Sequence, residues 1–143
     1  MQTFKGGIQA TQDAASALSK QLKPGMVVSL VGDLGAGKTT LVAALASALQ
    51  SDHPVSSPTF TVIHEVPTPT LMLCHIDAYR CTERDVLNLG LDDYQQEGFV
   101  LLIEWLEMFG NAGPVPDITV TLVEDETDPA VRMITIDVLG DLA

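Results

Sequence analysis

The chain has 143 residues, 46% hydrophobic and 18% charged, a length and composition suited to one domain around one core. Nineteen acidic residues against seven basic ones give a formal net charge of −12, and Lys38 is the last lysine. So few cations disfavour direct binding to RNA or DNA, which depends on Lys and Arg displacing counterions, and no apolar run approaches the roughly 18 residues of a membrane-spanning helix.

In chain order, Thr3–Ile8 reads as a short edge strand, and Met1–Gly7 lacks the apolar core of a signal peptide. Thr11 is the expected N-cap of a first helix. Its buried face is Ala14, Ala15, Leu18 and Leu22, and it runs to about Gln21. Pro24-Gly25 ends that helix and turns the chain into Met26–Val31, an apolar, β-branched run suited to a buried parallel strand.

Gly32-Asp33-Leu34-Gly35-Ala36-Gly37-Lys38-Thr39-Thr40 follows at once and reads G-x-x-x-x-G-K-T. Leu41, Ala44, Leu45, Ala48 and Leu49 then repeat at helical spacing to about Gln50. Strand, glycine loop and helix start therefore stand in the order a phosphate-binding loop requires. Glycines let backbone N–H groups turn inward around phosphate oxygens, and the helix N-terminus adds a favourable dipole. The expected nucleotide contacts are Asp33, Leu34, Gly35, Ala36, Gly37, Lys38, Thr39 and Thr40. Lys38 should reach the β- and γ-phosphates, and Thr39 should present its hydroxyl to Mg²⁺.

Ser51–Pro58 is a polar loop, and Phe60–Val66 reads as a strand. Leu71–Ile76 reads as the next strand, forming a hairpin with it through Pro67–Thr70 and delivering Asp77 at its end. Cys74 and Cys81 fit neither a disulfide framework nor a zinc site, which points to reduced thiols and a cytoplasmic location. Thr82–Gln96 should hold short helices, with Thr82 and Asp85 as an N-cap pattern. Phe99–Ile103 is a continuous apolar strand that delivers Glu104. Ile118–Val123 and Arg132–Val138 should form a hairpin joined by Glu124–Asp128 and Pro129. The fold class expected for residues 1–143 is a single-domain α/β P-loop NTPase. Its central sheet should be mainly parallel, flanked by helices, with a C-terminal β-hairpin.

A phosphate loop needs acidic groups at neighbouring strand ends, where such folds bind ligands. Asp77 and Glu104 are the two candidates. One would help hold Mg²⁺, directly or through water, and the other would orient or deprotonate the attacking water. The sequence leaves the assignment open, and either acid could be an ordinary solvated strand end. Thr59 in Ser57-Pro58-Thr59-Phe60 is the candidate switch threonine, although composition alone favours a plain β-branched residue starting a strand. Trp105, the single tryptophan, should point to the opposite side of the strand end from Glu104 if strand alternation persists.

The loop Gly32–Thr40, Ser57-Pro58-Thr59-Phe60, His75-Ile76-Asp77-Ala78-Tyr79-Arg80 and Ile103-Glu104-Trp105 occur together in this order. The combination resembles the TsaE (YjeE) family of small bacterial P-loop ATPases. That family serves the threonylcarbamoyl modification of the adenosine next to the anticodon in tRNAs reading codons that start with A. The resemblance implies an ATP- and Mg²⁺-dependent slow ATPase that docks on a TsaB–TsaD heterodimer, which performs the transfer and contacts the tRNA. By position it implies phosphate and metal roles for Lys38 and Thr39, contact of Glu104 with the metal region, a place in the site for Asp77, and a switch role for Thr59. Thr11 would lie near the nucleotide base, and Arg132 near a C-terminal arginine of the family. Leu106, where the family usually has Pro or Gly, and Val66, where it often has Tyr, depart from the pattern.

The leading alternative is a small P-loop metabolite kinase. Such kinases use mobile lid arginines, and this chain has only Arg80, Arg84 and Arg132. A regulatory GTPase would need a guanine-reading N-K-x-D or T-K-x-D segment, and no lysine follows Lys38 to supply one.

Overall fold

The computed structural model describes residues 1–33, 36–52, 55 and 62–138. Strand β1 (Gln2–Gly6) leads into helix α1 (Ile8–Ser19), then β2 (Val27–Val31) and α2 (Lys38–Ala48). Strands β3 (Ile63–Pro67) and β4 (Met72–Asp77) follow. Two short helices, α3 (Asp85–Leu89) and α4 (Leu91–Gln96), connect to β5 (Val100–Glu104). A 3₁₀ segment, Leu106–Ala112, precedes β6 (Ile118–Glu124) and β7 (Arg132–Val138).

One seven-stranded sheet carries these elements in the order β1-β7-β6-β2-β5-β4-β3. Its centre is parallel: β2 lies between β6 and β5, and β5 pairs with β4. Both margins are antiparallel, closed by β3 on one side and by β7 and β1 on the other. The parallel centre with an antiparallel C-terminal hairpin is the architecture expected from the sequence.

Strand alternation sorts the core onto the two faces. Val28, Leu30, Leu73, Val100 and Leu102 pack under α1 and α2 with Leu18, Leu41 and Leu45. Val27, Cys74, Ile76, Leu101 and Ile103 face the other way, against Leu91, Phe99 and Phe109. Burial on both faces is why these strands read as continuous apolar runs rather than alternating ones. The parallel register sets Cys74 beside Leu101 and Asp77 beside Glu104, so the two acids end adjacent strands at the same level.

Two local expectations change. Helix α1 starts one turn before Thr11, because the Gly7 carbonyl accepts the N–H groups of Ala10 at 3.0 Å and Thr11 at 3.4 Å. No side chain caps this helix, and Thr11 is an interior, buried residue. Helix α2 buries Leu41, Val42, Leu45 and Ala46 rather than a stripe through Ala48, since its sheet-facing side is rotated toward Val42 and Ala46. The departures Val66 and Leu106 are absorbed by packing, Val66 in the α1–α2 core and Leu106 against the opposite one.

Both cysteines are free and buried, as expected of reduced thiols. Burial, reinforced by Glu65, pushes the Cys74 thiol up to about 12. Among the described residues, no helix is long and apolar enough to cross a membrane.

Candidate functional site

Strand β2 runs directly into the glycine loop, whose tightness has visible steric causes. A Cβ on Gly32 would stand 2.8 Å from the Leu122 carbonyl oxygen of neighbouring β6 and 3.1 Å from the Ala36 Cβ. Gly37, at φ 99°, adopts a left-handed conformation that a side chain would strain, and it begins α2. Among the described residues no side chain caps α2, and no acid stands in its first turn. Its first N–H groups therefore lack intrahelical acceptors, an arrangement that favours an anion. Asp33 is exposed and its carbonyl accepts the Ala36 N–H at 3.0 Å. Leu34, Gly35 and the switch candidate Thr59 lie outside the described residues.

Lys38 is the first residue of α2 and its side chain is buried. Its Nζ donates to the Gly32 carbonyl at 2.8 Å. The same ammonium lies 3.6 Å from Glu104 Oε1 and 4.6 Å from the centre of the Trp105 ring. The motif lysine is thus held by a backbone oxygen, a carboxylate and an aromatic face at once. Thr39 is half-buried and Thr40 exposed beside it.

Glu104 ends β5 and is buried, so each of its oxygens needs a partner. Oε1 faces Lys38, and Oε2 lies 2.6 Å from Nε2 of His75. An ionised carboxylate only accepts, so the imidazole Nε2–H is the donor. His75 is fully buried in β4, and its Nδ1 has no partner among the described residues. An orphan polar atom of this kind costs about 1–3 kcal/mol. His64 of β3 stands opposite His75 in the antiparallel register.

Asp77 is the neighbour of Glu104 across the β4–β5 ladder but is differently employed. It is half-buried, and its Oδ1 accepts the Tyr79 N–H at 3.0 Å, closing a turn at the strand end. Among the described residues only Oδ1 is hydrogen-bonded.

Trp105 packs against the core of the opposite face from Glu104, as strand alternation expects, and its ring also reaches the site. Its backbone is left-handed, φ 61° and ψ 41°, which ends β5 and brings the indole to Lys38. Glu104 and Trp105 therefore both meet the same ammonium. The Tyr79 ring meets the indole edge-on at 5.1 Å between centroids.

Arg132, the first residue of β7, reaches the loop from the opposite side. Its Nε donates to the Ala36 carbonyl at 3.0 Å, and its guanidinium also binds the carbonyls of Pro129 and Val131. Thr11 is buried in α1. A hollow of about 460 Å³ between α1 and α2 starts at Thr40, and the α1 residues lining it are Ile8 and Gln12.

The fold thus gathers Lys38, Thr39, Asp77, Glu104 and Arg132 at one end of the parallel strands. His75 received no role from sequence, although a signal existed. Spacing of two from Asp77 places both on one strand face, the face of Leu102 and Glu104.

The family model for the threonylcarbamoyl adenosine biosynthesis protein TsaE matches residues 7–134. A Nostoc protein named tRNA threonylcarbamoyladenosine biosynthesis protein TsaE is 41% identical over 109 residues, 73% of this chain and 67% of its own. The Bacillus subtilis protein of the same name is 36% identical over 133 residues, covering 93% of this chain and 82% of its own. Among solved structures, Bacillus subtilis YdiB superposes with a TM-score of 0.75 at 31% identity, over 97% of this chain and 86% of that one. With the strand–loop–helix, the paired strand-end acids and these matches together, the chain belongs to the TsaE family.

Proposed function

We propose that this chain is a slow, Mg²⁺-dependent ATPase that supports threonylcarbamoyladenosine formation in tRNAs reading codons that start with A. The observation that carries the reading is the buried contact between Lys38 and Glu104, which joins the loop lysine to a strand-end carboxylate. Such an arrangement prepares a cation for phosphate and an acid for water in one dry site.

The donor set fits a magnesium-bound nucleotide. Among the described residues no three His, Cys, Asp or Glu groups form a ready cage for a metal. Magnesium in nucleotide sites is commonly held by one or two protein oxygens together with phosphates and water, and Thr39 and Asp77 would take that role here. When bound, the ion would neutralise charge developing on the phosphoryl oxygens. Lys38 leaves Glu104 and Trp105 to neutralise the terminal phosphates. The N–H groups of the first turn of α2 bind the remaining phosphate oxygens. Glu104, relieved of its cation, accepts a hydrogen bond from the attacking water and orients it. Arg132 steadies the loop through the Ala36 carbonyl and can turn toward phosphate. The hollow between α1 and α2 offers room for the nucleoside end beside Thr40.

We further propose that the chain acts as an accessory to a TsaB–TsaD heterodimer, which carries out the transfer in the cytoplasm. The family resemblance supports this partner. A net charge of −12 supports indirect contact with tRNA, through the partner rather than this surface. The test is reconstitution: phosphate release and modified tRNA are measured with the TsaB–TsaD pair, tRNA and ATP. Omitting this chain, or supplying Lys38→Ala, is expected to stop sustained modification. Undiminished modification with Lys38→Ala would overturn the proposal.

A further inference from the structure

We propose that His75 is a positioning residue that keeps the Glu104 carboxylate aimed once Lys38 has turned to phosphate; this rests on the ATPase reading above. The two oxygens of Glu104 are held by different kinds of partner. Oε1 faces an ammonium at 3.6 Å on a long, rotatable side chain at the start of α2. Oε2 binds an imidazole at 2.6 Å that is fully buried within the β4 ladder. Lys38 has somewhere else to go, and His75 does not. After the lysine departs, the ring N–H is the remaining described side-chain contact of Glu104.

The surroundings of the ring argue against a purely structural part. Leu73, Cys74 and Ile76, the residues around it in β4, are buried apolar side chains. A leucine at position 75 would fit that pattern and carry no unpartnered ring nitrogen, but it would leave Glu104 Oε2 without its donor. The imidazole instead keeps an unpartnered Nδ1 among the described residues while spending its other nitrogen on Glu104. A hydrogen bond from a rigid partner fixes both the direction and the charge distribution of a carboxylate, as such partners do for metal-binding and catalytic groups.

Two measurements decide it. The ring nitrogens of His75 in the nucleotide-free wild-type chain are read by ¹⁵N NMR. The expected result is a proton on Nε2, with its signal moved by Glu104→Gln; a ring protonated on Nδ1 alone would overturn the proposal. Kinetics and calorimetry then compare His75→Leu and His75→Gln. The leucine variant is expected to lower kcat by about 10- to 100-fold while nucleotide affinity stays within about twofold of wild type. Glutamine, whose amide N–H can reach Oε2, should recover part of that loss. In a Glu104→Gln background, His75→Leu should cost nothing further, because the two residues act as a unit. Wild-type kcat in His75→Leu, or losses that simply multiply, would overturn the role, and the NMR result stands even if that variant does not fold. A wild-type chain that hydrolyses no ATP would instead defeat the ATPase reading and leave the NMR to judge the hydrogen bond.

Discussion

The ends of β4 and β5 carry two carboxylates side by side in register, yet the fold treats them oppositely. Glu104 is buried and gripped on both oxygens, by Lys38 and by His75. Asp77 is half-buried and spends one oxygen on the Tyr79 N–H. One strand further from the loop is enough to make the difference. β5 lies directly beside β2, which feeds the glycine loop, whereas β4 lies one place out. A buried acid on the inner strand is suited to act on water at a fixed angle. A solvent-facing acid on the outer strand is suited to an ion that keeps its own water shell.

The strongest break in this comparison is Glu104→Gln. Hydrolysis should fall by about 100- to 10,000-fold and should not recover at high Mg²⁺, while ATP still binds. The nucleotide-free variant should also lose stability, by about 3 kcal/mol in urea unfolding, because Lys38 is stranded without its buried counter-charge. Recovery of the rate by added Mg²⁺ would move the metal role to Glu104. Asp77→Asn should have the smaller effect, raising the Mg²⁺ concentration needed for half-maximal hydrolysis by about tenfold or more. Its stability should stay within about 0.5 kcal/mol of wild type, as for other substitutions away from buried partners. If Asp77→Asn destabilises the chain as much as Glu104→Gln, the contrast is wrong.

Trp105→Phe tests the aromatic that shares Lys38 with Glu104. Loss of the better cation-binding ring should cost about 0.5–1 kcal/mol, measured in the nucleotide-free chain and absent in a Lys38→Ala background. The smallest effect concerns a third carboxylate, Asp125, in the β6–β7 turn. Hydrogen bonds from the Thr127 side chain and backbone, and from the Asp128 N–H, hold its carboxyl below the usual 3.8, with Lys5 assisting. A lowered folded value means the turn gains support above the unfolded pKa and loses it as pH falls through the folded one. Amide shifts of Thr127 and Asp128 should therefore titrate with a midpoint under 3.8. A midpoint at or above that value would show that the turn does not depend on the ionised carboxylate.

Much of this arrangement was legible in the residues. The run Val27–Val31 before Gly32, and Phe99–Ile103 before Glu104, announced buried parallel strands ending in chemistry, because both faces of a parallel sheet are covered. The β3–β4 and β6–β7 hairpins followed from Pro67–Thr70 and from the acidic turn around Asp125. What local pattern could not supply was conformation set by long-range contact. Thr11 looked like a cap, but the Gly7 carbonyl starts the helix a turn earlier. Trp105 packs on the far side from Glu104 as expected, but its left-handed backbone also brings the ring to Lys38. Nothing about position 105 in isolation marks a positive φ in a tryptophan. His75 escaped because its partner is 29 residues away and becomes visible only through the β4–β5 register.

The central claim is that Lys38 trades its contacts with Glu104 and Trp105 for the phosphates of ATP. Trp105 is the only tryptophan and its ring lies 4.6 Å from the Lys38 ammonium, so its emission reports that exchange directly. Titrating the chain with ATP and Mg²⁺ should give a saturable change in tryptophan fluorescence that is lost in Lys38→Ala. A flat titration where calorimetry registers ATP binding, or the same saturable change in Lys38→Ala, would contradict the account.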